Sequence, residues 1–154
     1  MSEQRSERMQ RVADVAGYHT EQAAQLVGRR RREVDAAETQ LRELEQFRRD
    51  YAQGLATAGT SATCAADLLN RQRFVARIDA AIAQQHAQVQ EKQRQLAAAR
   101  AGWIQSRGRS SALDTVTERY RSREQARAER AEQAAADERA QRPSRPWSDP
   151  AAAE

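Results

Sequence analysis

The chain has 154 residues, of which 39% are hydrophobic, 5% aromatic and 31% charged. This composition excludes a thick globular core, because the chain holds too few large apolar side chains to fill one. The formal net charge is +4, but acidic residues alternate with the arginines along most of the chain, which excludes a uniformly basic surface. We therefore expect long helices that bury one narrow apolar seam.

The first predicted helix covers about residues 9–53. Its apolar residues recur at steps of three and four, which places them on one face of a helix. Arg30 and Arg48 interrupt this seam, and we expect each to lay its methylene groups along the seam with the guanidinium in water. The seam residues are Met9, Val12, Ala16, Ala23, Val27, Val34, Ala37, Leu41, Leu44, Tyr51 and Leu55.

A turn is predicted at about residues 54–67. Glycine, threonine, serine and alanine dominate this stretch, and Asp67 is its first charged residue. Asp67 is expected to cap the helix that follows.

The second predicted helix covers about residues 68–138. A heptad pattern of apolar residues continues through it, and Gly102 and Gly108 are its expected weak points. The seam residues are Leu68, Val75, Ile78, Ile82, Gln85, Val89, Leu96, Ala99, Trp103, Leu113 and Tyr120.

The predicted fold is all-α: residues 1–142 form a long antiparallel two-helix coiled-coil hairpin, and residues 143–154 form a disordered tail. The tail prediction rests on Pro143, Pro146 and Pro150, which follow a stretch where the seam fades into alternating arginine, glutamate and alanine. No stretch approaches the roughly 20 apolar residues that cross a bilayer, so we expect membrane association only through partners.

Several segments resemble the FliJ family of flagellar export proteins. They are residues 40–51 with Leu44 and Phe47, residues 72–82, the Ala-Gly-Trp sequence at 101–103, and the Asp-Glu-Arg-Ala sequence at 137–140. The resemblance covers roughly residues 9–142. It implies a coiled coil similar to the central stalk subunit of rotary ATP synthases.

The resemblance also implies partners and a location. They are the hexameric export ATPase, whose pore holds the open end of the hairpin, and the cytoplasmic domain of the export gate. Such a protein couples ATP hydrolysis by the ATPase to export and escorts empty substrate-specific export chaperones. It lies in the bacterial cytoplasm, at the cytoplasmic face of the flagellar basal body.

The family's surface for the export gate, transferred position by position, falls on eight residues of this chain. In this family the last position is often histidine, and this chain has glutamine there with His86 beside it. The eight positions are Gln40, Leu44, Phe47, Tyr51, Phe74, Ile78, Ala81 and Gln85.

The spacing of these eight positions supports a common surface. Each set of four advances by four, three and four residues, so each lies along one helix face. If the turn is centred near Ser61, Phe47 and Phe74 are at nearly equal distances from it and should be neighbours. Each lies one position from the strict seam. The rings could therefore form an exposed docking patch, or a slightly rotated hairpin could bury both in a wider core.

Charged residues at two places could contact the ATPase. Four consecutive arginines at 29–32 could face acidic loops of its ring, although a solvated helix surface is the simpler interpretation. They are Arg29, Arg30, Arg31 and Arg32, and the second place is Asp137 with Glu138 near the end of the second helix.

We expect no catalytic site, cofactor, small-molecule ligand or metal. His19 and His86 lack a second ligand at metal-binding spacing, and Cys64 has no histidine nearby in sequence. Three alternative functions remain open from the sequence. They are a virulence-type secretion stalk protein, a basic coiled-coil dimer that binds nucleic acid, and an accessory or regulatory helix bundle of an enzyme. Nucleic acid is a poorer match, because no aromatic or glycine-rich recognition pattern accompanies the arginines.

Overall fold

The computed structural model describes residues 5–57 and 64–142. Within these ranges the chain forms two helices and no strand: α1 is Arg5–Thr57 and α2 is Ala65–Gln141. The prediction of an all-α fold of two long helices that pack against each other is confirmed. The central part of the predicted turn, residues 58–63, and the predicted tail, residues 143–154, lie outside the described residues.

The helix ends differ from the predicted ones by a few residues. α1 continues through Gly54 to Thr57, and α2 starts at Ala65. The carbonyl oxygen of Cys64 accepts hydrogen bonds from the amides of Asp67 and Leu68, at 2.9 and 3.2 Å. The prediction that Asp67 caps α2 is therefore wrong, because Asp67 lies inside the first turn. Its carboxylate still stabilises the positive end of the helix dipole there.

The chain divides into two compact units, Ala16–Ser110 and Met1–Val15 with Ser111–Glu154. In each unit a stretch of α1 pairs with a stretch of α2. The pairs are antiparallel, since partner numbers fall along α2 as they rise along α1. The contacts of the larger unit that show this are Thr20 with Ser106, Glu33 with Lys92, Gln40 with Gln85, and Arg48 with Asp79.

The larger unit buries a thin seam between its two helices. Its buried apolar side chains are small or medium in size, and they come at heptad-like steps from both helices. A hydroxyl pair, Thr20 and Ser106, adds a polar contact with its oxygens 3.0 Å apart. The buried apolar residues of this unit are Ala16, Val34, Ala37, Ile78, Val89 and Leu96.

The smaller unit has a more polar seam. Ala13, Ser6 and Thr117 are its buried residues among those described. The hydroxyl of Thr117 donates to the carbonyl oxygen of Leu113 at 2.8 Å within α2. Burial of the hydroxyl therefore leaves no donor unsatisfied.

The predicted seam was wrong at Val12 and at Leu68. Val12 is 49% exposed and the neighbouring Ala13 is buried instead. Alanine lets two helix backbones approach closely. The helix can therefore turn Ala13 toward its partner helix, although the neighbouring Val12 has the larger apolar side chain. Leu68 is 55% exposed, three residues after the start of α2.

Candidate functional site

Three aromatic side chains of the larger unit lie together on the surface. Phe47 and Phe74, from opposite helices, are in edge contact, with ring centroids 6.3 Å apart and planes at 77°. The ring of Tyr51 lies 4.7 Å from that of Phe74 at 56°. The three side chains form what we call the aromatic patch. Edge and tilted geometries are the favourable ones for aromatic pairs, typically about 0.5–1.5 kcal/mol beyond area burial.

The structure decides between the two arrangements that the sequence left open. Phe47 is 50% exposed and Phe74 is 38% exposed, so neither ring widens the core. Tyr51 is half-buried beneath them. Aromatic side chains that are already packed on one side and open to solvent on the other lose little rotamer freedom when a partner covers them.

The other five predicted docking residues fall into two groups. Gln40 is exposed, and Leu44 and Ala81 are half-buried, so these three can frame the aromatic patch. Ile78 and Gln85 are 6% and 8% exposed and lie in the seam between the helices. The structure therefore brings six of the eight residues to the surface and leaves two beneath it.

Gln85 is bonded within the fold. Its side-chain amide donates to the carbonyl oxygen of Ala37 at 2.9 Å and to Oε1 of Gln40 at 3.2 Å. These bonds join α2 to α1 at a buried position of the seam. Gln85 is thus a polar member of the seam in this chain.

An ion pair joins the two helices near the aromatic patch. The guanidinium of Arg48 donates to both carboxylate oxygens of Asp79, with Nη2 3.4 Å from Oδ2. The hydrogen bond from Arg48 holds the pKa of Asp79 below its ordinary value and raises the pKa of Arg48. The sequence predicts the guanidinium of Arg48 in water; the side chain is 47% exposed and also pairs with Asp79. The sequence prediction for Arg48 did not consider Asp79. The two residues lie at the same height on the two helices, so their pairing could have been expected.

The four arginines at 29–32 do not act as one group. Arg30 is half-buried and donates to Oε2 of Glu33 at 2.9 Å, and Lys92 donates to the same oxygen at 3.1 Å. The hydrogen bonds from Arg30 and then Lys92 lower the pKa of Glu33. The remaining three, Arg29, Arg31 and Arg32, are exposed.

The second predicted ATPase contact, at the end of α2, is fully exposed. Asp137 and Glu138 lie in the smaller unit, and Glu138 forms an ion pair with Arg142 at 3.6 Å. Such an exposed pair contributes little to stability. Both carboxylates are exposed, and Glu138 would exchange Arg142 for a partner's charge.

An apolar groove in the larger unit was not predicted from the sequence. It has a volume of about 460 Å³ and lies near the start of α2. Leu55, Leu68 and Val75 supply its apolar lining, with Arg71 and Asp79 at its edge. The seam predicted from the sequence includes all three apolar residues. In the structure they line an open groove instead.

The described residues contain no group of three or more His, Cys, Asp and Glu side chains that could hold a metal ion. His86 lies 3.7 Å from a carboxylate oxygen of Glu45, and the ring of His19 packs edge-on against Tyr18. Cys64 is exposed. Among the helices that the structure describes, none is both long and apolar enough to span a bilayer.

Comparison with known proteins gives two matches. The profile of the family described as "Flagellar FliJ protein" matches residues 5–145. The flagellar FliJ protein of Escherichia coli (strain K12) is 29% identical over 131 residues, which cover 85% of this chain and 89% of that relative.

Proposed function

This chain belongs to the FliJ family of flagellar proteins, and we propose that it is a coiled-coil stalk joining two larger parts of the flagellar export machinery. One is the hexameric export ATPase and the other is the cytoplasmic domain of the export gate. The stalk couples ATP hydrolysis to export, and hydrolysis itself belongs to the ATPase. It acts in the bacterial cytoplasm at the base of the flagellum and also escorts empty substrate-specific export chaperones.

The aromatic patch is the observation that carries the gate contact. Phe47 and Phe74 come from two helices, contact each other and keep half or more than a third of their surfaces exposed. Aromatic side chains in such a position are typical hot spots of protein interfaces. Gln40, Leu44 and Ala81 frame them, while Ile78 and Gln85 hold the two helices in place beneath.

The charged residues carry the proposed ATPase contact. Arg29, Arg31 and Arg32 are exposed and can pair with acidic side chains, and Arg30 is already occupied by Glu33. Asp137 and Glu138 offer the opposite charge in the smaller unit. Exposed charges of this kind set the rate and the salt dependence of association more than its final affinity.

A pull-down with purified components tests the proposed gate contact. The immobilised chain is offered the gate's cytoplasmic domain and, separately, the export ATPase. Wild type is compared with the double variant Phe47→Ala and Phe74→Ala. The matched control is Tyr18→Ala, which removes another exposed aromatic side chain of the larger unit, 62% exposed and remote in sequence from the patch.

The proposal expects the double variant to lose the gate domain while it keeps its helicity and the ATPase. The control variant should keep both partners. Retention of the gate domain by the double variant would contradict the docking role of the patch, and failure of wild type to bind either partner would contradict the stalk function itself.

A further inference from the structure

Two cross-helix contacts in the larger unit are related by heptad steps. His86 of α2 faces Glu45 of α1, with Nε2 3.7 Å from Oε1. One heptad further along α2, Gln93 donates to Oε1 of Glu38 at 3.3 Å. The step is seven residues on both helices, in opposite directions, as an antiparallel coiled coil requires. We call this series of facing positions the ladder and each facing pair a rung.

The next rung of the ladder joins two arginines. Seven residues beyond Gln93 is Arg100, and seven residues before Glu38 is Arg31. Both side chains are exposed, and neither has an ion-pair partner among the described residues. One rung further, Arg107 stacks on Trp103 with its guanidinium carbon 5.6 Å from the ring centroid. Continued by the same heptad steps, the ladder therefore sets Arg31 and Arg100, two like charges, opposite each other.

Basic residues outnumber acidic ones around these arginines, although Asp35 lies one helical turn from Arg31. Residues 22–34 of α1 and 92–110 of α2 together hold nine basic residues and one acidic residue, Glu33. Glu33 is already bonded to Arg30 and Lys92. The net charge of the two segments is +8, whereas the whole chain carries +4, so the remainder of the chain carries −4. Facing like charges are unfavourable unless an anion lies between them.

The ladder lies on the side of the larger unit away from the aromatic patch. On α1, Phe47 lies one heptad from Gln40 and therefore on the same face of the helix. Gln40 contacts Gln85 of α2. The ladder residue Glu45 is five positions from Gln40, about 140° around the helix. A partner at the ladder therefore does not compete with one at the patch.

We propose that Arg31, Arg100 and Arg107 form a second docking surface, which binds an acidic segment of a partner protein by placing carboxylates between the arginines. Guanidinium groups bind carboxylates in a bidentate manner, so one carboxylate can join both arginines of the Arg31/Arg100 rung. Ile104, which is 64% exposed, lies on the same face of α2 between Arg100 and Arg107 and offers an apolar contact beside the charges.

The charge pattern favours a short acidic segment over a membrane or nucleic acid. The charge of the ladder residues on α1 changes from positive at Arg31 to negative at Glu38 and Glu45. A flat anionic membrane or an extended phosphate chain laid along the ladder would meet these carboxylates as well. A short acidic segment can bind the arginines and end before it reaches Glu38 and Glu45. Arg31 is the only residue that this surface shares with the proposed ATPase contact, and the inference does not depend on that contact.

The Arg31/Arg100 rung is tested first by thermal unfolding of the full chain. Arg100→Glu converts facing like charges into opposite ones and should raise the melting temperature. The same change in an Arg31→Gln background should bring no rise. In an Arg29→Gln background, where an exposed arginine of the same run is removed, the rise should persist. A rise in melting temperature that does not depend on Arg31 would contradict the facing of Arg31 and Arg100.

Binding is tested with a fluorescein-labelled peptide of alternating glutamate and glycine with one central leucine. Fluorescence anisotropy at low salt should show binding to wild type and a loss of about tenfold in affinity for Arg31→Gln with Arg100→Gln, as expected when one well-formed charged contact is removed. The matched control, Arg73→Gln with Arg77→Gln, removes the same charge at two exposed arginines outside both proposed contacts and should bind as wild type does.

Three results of the binding assay would overturn the proposal. They are no binding of the peptide to wild type, equal losses in the two double variants, and tighter binding of oligothymidylate or of phosphatidylglycerol vesicles than of the peptide. Equal losses would mean that only net charge matters. None of these results bears on the aromatic patch, whose partner is assayed separately.

Discussion

The side-chain nitrogen of Gln85 lies 2.9 Å from the main-chain carbonyl oxygen of Ala37 and donates a hydrogen bond across the two helices. It also donates to Gln40 at 3.2 Å. A buried polar residue in a coiled-coil seam helps to fix the register of the helices, because any axial slip leaves it buried without a partner. Register in turn determines whether Phe47 meets Phe74.

Gln85→Ala should lower the free energy of unfolding by about 1–3 kcal/mol, since it removes two cross-helix hydrogen bonds and part of the buried seam. Urea unfolding followed by circular dichroism measures this change. The matched control is Gln84→Ala, at an exposed neighbouring position. Equal urea midpoints for the two variants would contradict the role of Gln85 in the seam.

The Arg48–Asp79 ion pair predicts a pH dependence of stability. The pKa of Asp79 is below its ordinary value of 3.8 in the folded chain because Arg48 bonds to its carboxylate. The unfolded state therefore takes up a proton first as pH falls, so the stabilisation is complete above that ordinary value and is lost as pH falls through the lower folded pKa.

Asp79→Asn should consequently be less stable than wild type at neutral pH, and the difference should shrink below the ordinary pKa of the carboxyl. Urea midpoints of both proteins across an acid pH series measure it. Asp35→Asn is the control, because Asp35 has no cross-helix ion pair among the described residues. A difference that stays constant down to strongly acidic pH would contradict the ion pair.

Gly102→Ala should stabilise the chain by about 0.5–1 kcal/mol. Gly102 lies within α2, and nothing in the described structure comes within 4 Å of the place that an added Cβ would occupy. Alanine is the better helix former because it loses less backbone freedom on folding. Thermal unfolding of Gly102→Ala and of the similar variant Gly108→Ala measures the effect, and a lowered melting temperature in both would contradict this packing.

Gln95→Met should also stabilise the chain, by about 1 kcal/mol. The side-chain oxygen Oε1 of Gln95 is buried with no hydrogen-bond partner among the described residues. A buried acceptor without a partner is costly, and an apolar side chain of similar shape removes that cost. Gln88→Met, at an exposed position one heptad earlier, is the control for added hydrophobicity. Urea unfolding should show a higher midpoint for Gln95→Met than for Gln88→Met. Equal midpoints would argue against a cost from the unpaired oxygen of Gln95.

The pairing of Phe47 with Phe74 could be predicted from the sequence because it depends on two simple quantities, the helical repeat and the distance of each residue from the turn. The heptad pattern alone predicted the burial of Val34, Ile78 and Leu96. These features are periodic and do not depend on the details of the side-chain conformations.

Other features could not be predicted because several side chains satisfy the same pattern. Alanine occurs on every face of these helices, so the sequence could not show that Ala13 is buried in place of Val12. The Arg48–Asp79 ion pair and the ladder depend on the exact register of two helices, which Gln85 helps to set. Arginines and carboxylates are too frequent in this chain for their pairing to be assigned without that register.

The most direct test of the central claim, that the aromatic patch binds the export gate, is the dissociation constant for the gate's cytoplasmic domain measured by isothermal titration calorimetry. Phe47→Ala with Phe74→Ala should weaken binding by at least about 30-fold, as expected for the loss of an aromatic hot spot worth 2 kcal/mol or more. Tyr18→Ala should bind as wild type does. An unchanged dissociation constant for a fully helical double variant would contradict the claim.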